Sequence, residues 1–252
     1  MRGVEGVERG TGAHFQVTAP LTIGADGRNS TVAKAVDAPL RRQGTESSAI
    51  VYGYFPGLPH DHYHWAYRPG LAAGIVPTND GLACVWVGTA SARFAQSRAA
   101  SLAATYSSLL AEAAPDVART IGTAGAVGPL RAFPGQPGWI RASAGAGWAL
   151  VGDAGYFKDP ITAHGITDAL RDAELLARAV LDAADAARAQ FNALHDYERT
   201  RDRLSEPLFD ITERIASYRW DLGELRGHLR ELSDAMRPEV DALQSLDELP
   251  AA

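Results

Sequence analysis

The 252-residue sequence predicts an α/β protein with an antiparallel middle region and a helical C-terminal end. Three features carry that expectation. Trp148-Ala149-Leu150-Val151 is a short apolar run closed by Gly152-Asp153 and followed by a helical pattern that opens at Gly165. Leu21-Thr22-Ile23 is a second run, closed by Gly24-Ala25-Asp26-Gly27 and a helix signal. Between them lie short apolar and aromatic runs separated by turn residues. Strand–turn–helix units build α/β layers, whereas closely linked strands pair antiparallel.

Taken in order, Met1 to Ala19 reads as a hairpin, with Val4 and Val7 in one arm and Phe15 and Val17 in the other. Gly10-Thr11-Gly12 is its turn. Gly24 and Gly27 permit a tight turn, and Asn29 or Ser30 can cap a helix through Val36. Strands are expected at Ile50–Phe55, His62–Tyr67, Leu71–Val76 and Leu82–Val87. Arg68-Pro69-Gly70 and Thr78-Asn79-Asp80-Gly81 punctuate them, and Asp-Gly is a good hairpin turn. Ser91 to Ala113 reads as one helix with Phe94, Leu102, Tyr106, Leu109 and Leu110 as apolar positions, ended by Pro115. Gly128 to Trp139 returns the chain to the first domain.

Trp148–Val151 has the pattern of a strand buried on both faces. In the helix after it, Ile166, Ala169, Leu170, Ala173, Leu176, Ala177 and Val180 fall on one face, expected to be buried. From Ala189 to Leu232 the pattern is helical again, kinked or divided by Pro207. Leu208, Ile211, Ile215, Leu222, Leu225, Leu229 and Leu232 form a stripe that fits core packing or a homo-oligomer seam. The expected segments are 1–37, 38–131, 132–188 and 189–252.

Composition narrows the function. A net charge of −6 argues against nucleic-acid binding. No stretch has the ~18 apolar residues of a membrane span. Cys84 is the one cysteine, so no intramolecular disulfide can form, which fits a reducing, cytoplasmic setting. Cys84 itself reads as a strand-core thiol.

A strand-end acid and a helix start suit an anionic or polar ligand. Gly152, Asp153, Ala154, Pro160, Gly165, Asp172, Ala173, Leu176 and Ala177 resemble the GD motif of FAD-dependent aromatic hydroxylases (group A flavin monooxygenases). Flavin halogenases and geranylgeranyl-reductase-like proteins share that motif. Gly24-Ala25-Asp26-Gly27 with Ser30 is similar to the same superfamily's DG motif. Tyr197 with Arg201 resembles its Y-x-x-x-R helix. Gly155-Tyr156, Ala163, His164 and Thr167 depart from the usual residues. The superfamily's first βαβ unit with G-x-G-x-x-G has no counterpart in this sequence, which therefore reads as an N-terminally truncated relative.

The resemblance implies a partial FAD/NAD(P)-binding Rossmann-like domain lacking its first βαβ unit, made of 1–37 and 132–188. An inserted antiparallel-sheet substrate domain and C-terminal helices complete it. It implies FAD as cofactor, NAD(P)H as reductant and a small organic substrate. The reaction implied is monooxygenation of an apolar or aromatic molecule through a flavin C4a-hydroperoxide. Cofactor-binding positions carried over are Gly152, Asp153, Pro160, His164, Gly165, Ile166, Asp26 and Gly27. No general base is evident, because the cofactor carries such chemistry. Two other readings are a cofactor-free remnant that acts as a binding protein and a flavin reductase of the geranylgeranyl-reductase type.

Other residues invite weighing. His60, His62 and His64 alternate on one strand face and could ligate a metal, although ligand sets normally draw on several elements, and no metal is expected. Asp168 and Asp172 lie one helical turn apart and read as dipole-stabilising acids with Arg171 and Arg178 as salt partners. Lys158 reads as a solvated lysine or as a cation for reduced flavin, and His164 as a loop residue or a charge stabiliser. Tyr52, Tyr54, Trp65 and Tyr67 could line a planar substrate pocket or fill the core.

Overall fold

The computed structural model describes residues 1–58, 62–97, 101–183 and 187–246; His60 and Pro59 lie outside them. The chain opens with β1 (Gly3–Val7), β2 (His14–Thr18), β3 (Thr22–Gly24), α1 (Thr31–Ala35) and β4 (Leu40–Gln43). The middle contains β5 (Ser48–Pro56), β6 (His64–Arg68), β7 (Leu71–Pro77), β8 (Leu82–Ala90), α2 (Ser91–Gln96), α3 (Leu102–Ala113) and α4 (Pro115–Ala124). Then come β9 (Arg131–Phe133), β10 (Trp139–Arg141), β11 (Ala144–Gly145), β12 (Trp148–Leu150) and β13 (Tyr156–Phe157). The chain closes with α5 (Gly165–Asp182), α6 (Ala187–Ala216) and α7 (Leu222–Gln244). None of the described helices is long and apolar enough to cross a membrane.

The chain divides into two units. The first comprises Met1–Gly44, Gly138–Asp210 and Asp234–Ala252, the second Thr45–Pro137 and Ile211–Ser233. The C-terminal helices, expected as a segment of their own, are shared between the two.

In the first unit, β3 and β12 run parallel, and β11 pairs antiparallel on the other side of β12. Trp148, Ala149 and Leu150 are all buried, as their apolar run requires. One face of this small sheet packs Ala149 and Val151 against Leu176, Leu194 and Tyr197 of α5 and α6. The other packs Trp148 and Leu150 against Ala33 of α1. Ser30 caps α1, accepting from the Ala33 N–H at 2.9 Å. Tyr197 and Arg201 tie α6 to the strands: Tyr197 donates to the Leu150 carbonyl at 2.7 Å and Arg201 Nη2 to the Arg141 carbonyl at 2.6 Å. β1 and β2 form the expected hairpin.

The second unit is a five-stranded sheet, β6-β7-β8-β5-β9, antiparallel throughout. Asp80 and Gly81 take φ of 57° and 68°, the left-handed pair that an Asp-Gly hairpin turn needs. Period-two alternation splits the faces. Val51, Phe55, Ala73, Ile75, Val85 and Val87 meet Tyr106, Leu109 and Leu110 of α3 in the core. The opposite face carries Tyr52 and Tyr54, in edge contact at 6.2 Å, and Trp65 against Trp86 at 5.2 Å. Tyr67 meets Trp220 at 6.3 Å.

The helices differ from the expectations in several places. Ser91–Ala113 is not one helix: α2 ends at Gln96, and Ser101 caps α3 afresh by accepting from the Ala104 N–H at 3.2 Å. Pro115 does follow the end of α3 at Ala113, as expected, but it also opens a further helix, α4, as its first residue, where its missing N–H is no loss. Pro207 lies inside α6 without dividing it, and the break falls later, at Tyr218 with φ 54°. Finally, α5 does not bury its first-half apolar stripe: Ile166 and Leu170 are 81% and 68% exposed, and Ala173 and Ala177 are exposed too. Asp168, Arg171, Asp172 and Leu176 face inward instead.

Candidate cofactor site

The site is assembled where two parallel strands end. Leu150 stands opposite Gly24, and the Val151 N–H donates to the Gly24 carbonyl at 3.0 Å. The turns leaving β3 and β12 therefore emerge side by side. Asp26 in the first turn accepts from the Thr31 N–H at 2.6 Å and the Val32 N–H at 3.3 Å. Partial burial pushes the Asp26 carboxyl up, but hydrogen bonds from Ser30, Thr31 and Val32 together outweigh it and hold it below its ordinary range. Its side chain is engaged in capping α1.

In the second turn, Gly152 has φ +55°, and a Cβ there would sit 3.0 Å from the Ala169 Cβ. Glycine alone permits both the left-handed backbone and this close approach of turn to helix. The Gly152 N–H donates to Asp172 Oδ2 at 3.1 Å, locking turn and helix together. Asp153 follows, half-buried, with no hydrogen bond to the described residues. Burial pushes its carboxyl up, and the positive charges of Arg28 and Lys158 bring it only part of the way back.

The loop to α5 is fixed by Asp159, whose Oδ1 accepts from the Ile161 N–H at 3.0 Å, and by Ala163 at φ 53°. Ala163 thus occupies a left-handed position at which glycine has no steric cost. His164 precedes the helix without capping it, and the first bonded amide is Asp168 N–H, to the His164 carbonyl at 3.1 Å. The amides of Gly165, Ile166 and Thr167 have no acceptor among the described residues. They carry the positive end of an 18-residue helix.

These parts border one cleft of about 760 Å³, lined by Gly27, Gly152, Asp153, Gly165, Ile166 and Leu170 among others. A Cβ on Gly27 or Gly165 would meet nothing within 4 Å, so both glycines open directly onto free space. Five of the carried-over positions line the cleft: Gly27, Gly152, Asp153, Gly165 and Ile166. Asp26, Pro160 and His164 do not line it. The exposed stripe of α5 is a wall of this cleft. A helical wheel gives the stripe but not what faces it.

Beneath the cleft lies an ionic cluster that sequence reasoning missed. Arg171 is fully buried, with Nη2 2.7 Å from Asp172 Oδ1 and 2.8 Å from Ser205 Oγ. Its Nη1 lies 3.3 Å from Asp168 Oδ1 and 3.2 Å from Glu239 Oε2. Lys158, 6% exposed, pairs with Asp168 Oδ2, and the Tyr156 ring lies 5.1 Å from its Nζ. Burial, with Arg171 nearby, pushes Lys158 down to about 7, so the reading of a solvated lysine is wrong. His164 Nδ1 lies 3.1 Å from Asp168 Oδ1. Burial first, then Lys158 and Arg171, pushes His164 down to about 4, which favours the neutral imidazole at pH 7. Asp168 and Asp172 both pair with Arg171, one of the two expected salt partners, whereas Arg178 pairs with Glu174 at 2.7 Å. Ligand atoms of His164, Asp168 and Glu239 come within 4.8 Å of one another, and Asp168 pairs with Lys158 and Glu239 with Arg171.

A flavin group fits the donor set. A half-buried acceptor carboxylate suits sugar or ribityl hydroxyls, free helix amides suit electron-rich oxygen and nitrogen, and the glycines leave room for a ring system. The described residues contain no G-x-G-x-x-G turn to meet a pyrophosphate.

The chain belongs to the FAD binding domain family, which matches residues 3–212. Its fold is that of FAD-dependent hydroxylases and flavin halogenases. A triple mutant of the flavin-dependent brominase Bmp2 superposes with a TM-score of 0.74 at 14% identity, over 97% of this chain and 67% of that one. CmlS, a flavin-dependent halogenase, gives 0.66 at 22% identity over 81% and 40%. Klebsiella pneumoniae HpxO, solved with FAD and uric acid, gives 0.63 at 18% identity over 96% and 62%. The chain therefore spans 40% to 67% of the length of these structures. No curated protein sequence matches it.

Proposed function

We propose that this chain holds the flavin end of FAD in an oxidoreductase, a monooxygenase that draws electrons from NAD(P)H and oxidises an apolar or aromatic organic substrate. The observation that carries the reading is the convergence of Asp153, Gly27, Gly152 and the free amides at Gly165 and Ile166 on one cleft. FAD, when bound, supplies hydride acceptance and oxygen activation. The chain's own residues position it. Asp153 accepts hydrogen bonds from cofactor hydroxyls. Gly152 and Gly165 let backbone approach the ring system, and the Gly165 and Ile166 amides donate to its electron-rich edge. Pro160 and His164 shape the loop that delivers those amides, and Asp26 fixes the turn that carries Gly27. In the second unit, Tyr52, Tyr54, Trp65 and Tyr67 provide flat apolar surface suited to a planar substrate.

The test is direct. The purified chain, incubated with FAD and passed through gel filtration, is expected to elute yellow with stoichiometric flavin absorbance. Asp153→Asn is expected to weaken FAD binding about tenfold, the effect of one charge-assisted hydrogen bond. A folded but colourless chain with no FAD affinity would overturn the proposal and favour a cofactor-free binding protein.

A further inference from the structure

Lys158 has no part in the function just described, and its surroundings call for one. Its side chain is buried and pairs with Asp168 Oδ2. Asp168 stands in the first turn of α5, the helix whose Gly165 and Ile166 line the flavin cleft. An ammonium carries three N–H donors, and Asp168 Oδ2 is the one hydrogen-bond acceptor that Lys158 has among the described residues.

Stability alone accounts poorly for a lysine in this place. Buried ion pairs stabilise little, and apolar replacements of similar volume are often no worse. Charge balance points to the cleft instead. Lys158 and Arg171 face Asp168, Asp172 and Glu239, and a further carboxylate, Asp153, lines the cleft. Arg171 is shared among Asp172 at 2.7 Å, Glu239 at 3.2 Å and Asp168 at 3.3 Å. An anion that forms in the cleft therefore meets an excess of carboxylates. Lys158 is the buried cation with donors left over.

We propose that Lys158 sets the reduction potential of the flavin: its buried ammonium, positioned by Asp168 at the start of α5, favours the reduced, anionic cofactor over the oxidised, neutral one. The inference rests on the proposed function, in which NAD(P)H passes two electrons and one proton to the flavin as hydride and leaves as the oxidised nicotinamide. The cleft then holds one more negative charge. Lys158 does not line the cleft and offsets that charge through space. Its effect depends on pH. Burial first, then Arg171, pushes Lys158 down to about 7, while Glu239, Asp153 and Asp172 pull the other way. His164 shares Asp168 with it. A negative charge in the cleft raises that value. The effect is thus full below about pH 7 and fades as pH rises through the raised value of the reduced form.

The test measures the midpoint potential of FAD bound to the full chain against pH. Lys158→Met is expected to lower the preference for reduced over oxidised FAD about tenfold near pH 6, about 30 mV for a two-electron couple, and by almost nothing near pH 9. Lys158→Arg, which stays charged, should match the parent near pH 6 and exceed its potential near pH 9. A merely structural lysine would leave the potential unmoved in every folded variant, and that result overturns the proposal. If the variants do not fold, the unmodified chain decides. Near pH 7.5 its reduced flavin should show the anionic spectrum, and reduction should take up about half a proton beyond the one bound by the flavin itself. A neutral spectrum or no extra proton overturns the proposal. A chain that binds no FAD overturns the proposed function and this inference together; one that binds FAD without these shifts overturns this inference alone.

Discussion

At Gly152 a strand end, a turn and a helix come within contact of one another. A methyl group there would need a left-handed φ and would press on Ala169. Gly152→Ala is therefore expected to lower stability by roughly 1–3 kcal/mol, read as a shift in the urea midpoint. Its neighbour Asp153 behaves oppositely. Burial raises its folded pKa, so ionising it costs more in the folded chain than in the unfolded one, and its contribution falls as pH rises through that range. At pH 7 Asp153→Asn should be at least as stable as the parent while losing FAD affinity. A loss of stability would mean that the carboxylate supports the fold instead of a ligand. His164 gives a third test. Its pKa is held near 4 against an ordinary 6.5, so the unfolded chain takes up this proton first. Stability should fall as pH drops from about 6.5 towards 4, by on the order of 2 kcal/mol, and His164→Gln should flatten that slope.

Among the elements, α5 has two different faces in one helix. Its second half packs Leu175, Leu176 and Val180 against the sheet, as an amphipathic helix does. Its first half buries charge and exposes Ile166 and Leu170. The inversion is possible because Arg171 and Lys158 offset Asp168, Asp172 and Glu239 within one hydrogen-bonded cluster. Such a cluster stabilises little overall but is sensitive to losing one member. Lys158→Met should cost about 3–5 kcal/mol, seen as a drop in thermal midpoint, because Asp168 loses a buried counter-charge. Tyr197→Phe removes only the hydrogen bond to the Leu150 carbonyl, so its expected cost is about 1–2 kcal/mol. A larger loss for Tyr197→Phe than for Lys158→Met would contradict this ranking.

Over the whole chain, local chemistry made much of the architecture legible. The hairpin, the strands β5 to β8, the Asp-Gly turn and the strand–turn–helix around Asp153 all follow from period, turn residues and caps acting over a few positions. Residue chemistry alone pointed to a ligand at a strand end and a helix start, the resemblance to the GD and DG motifs pointed to a flavin family, and Gly27, Gly152, Asp153, Gly165 and Ile166 share a cleft. Tertiary structure decided what pattern could not. It turned the Ile166–Leu170 stripe outward as a cleft wall, because burial of a helix face depends on which neighbours reach it. It drew Glu239 from α7 to Arg171 of α5, a contact between residues far apart in sequence that no local signal encodes. It buried Lys158 and lowered the pKa of His164, first by burial and then through the charges of Lys158 and Arg171. Local rules fix which backbone forms; only long-range packing fixes which side chains meet, and the electrostatics of the site depend on those meetings.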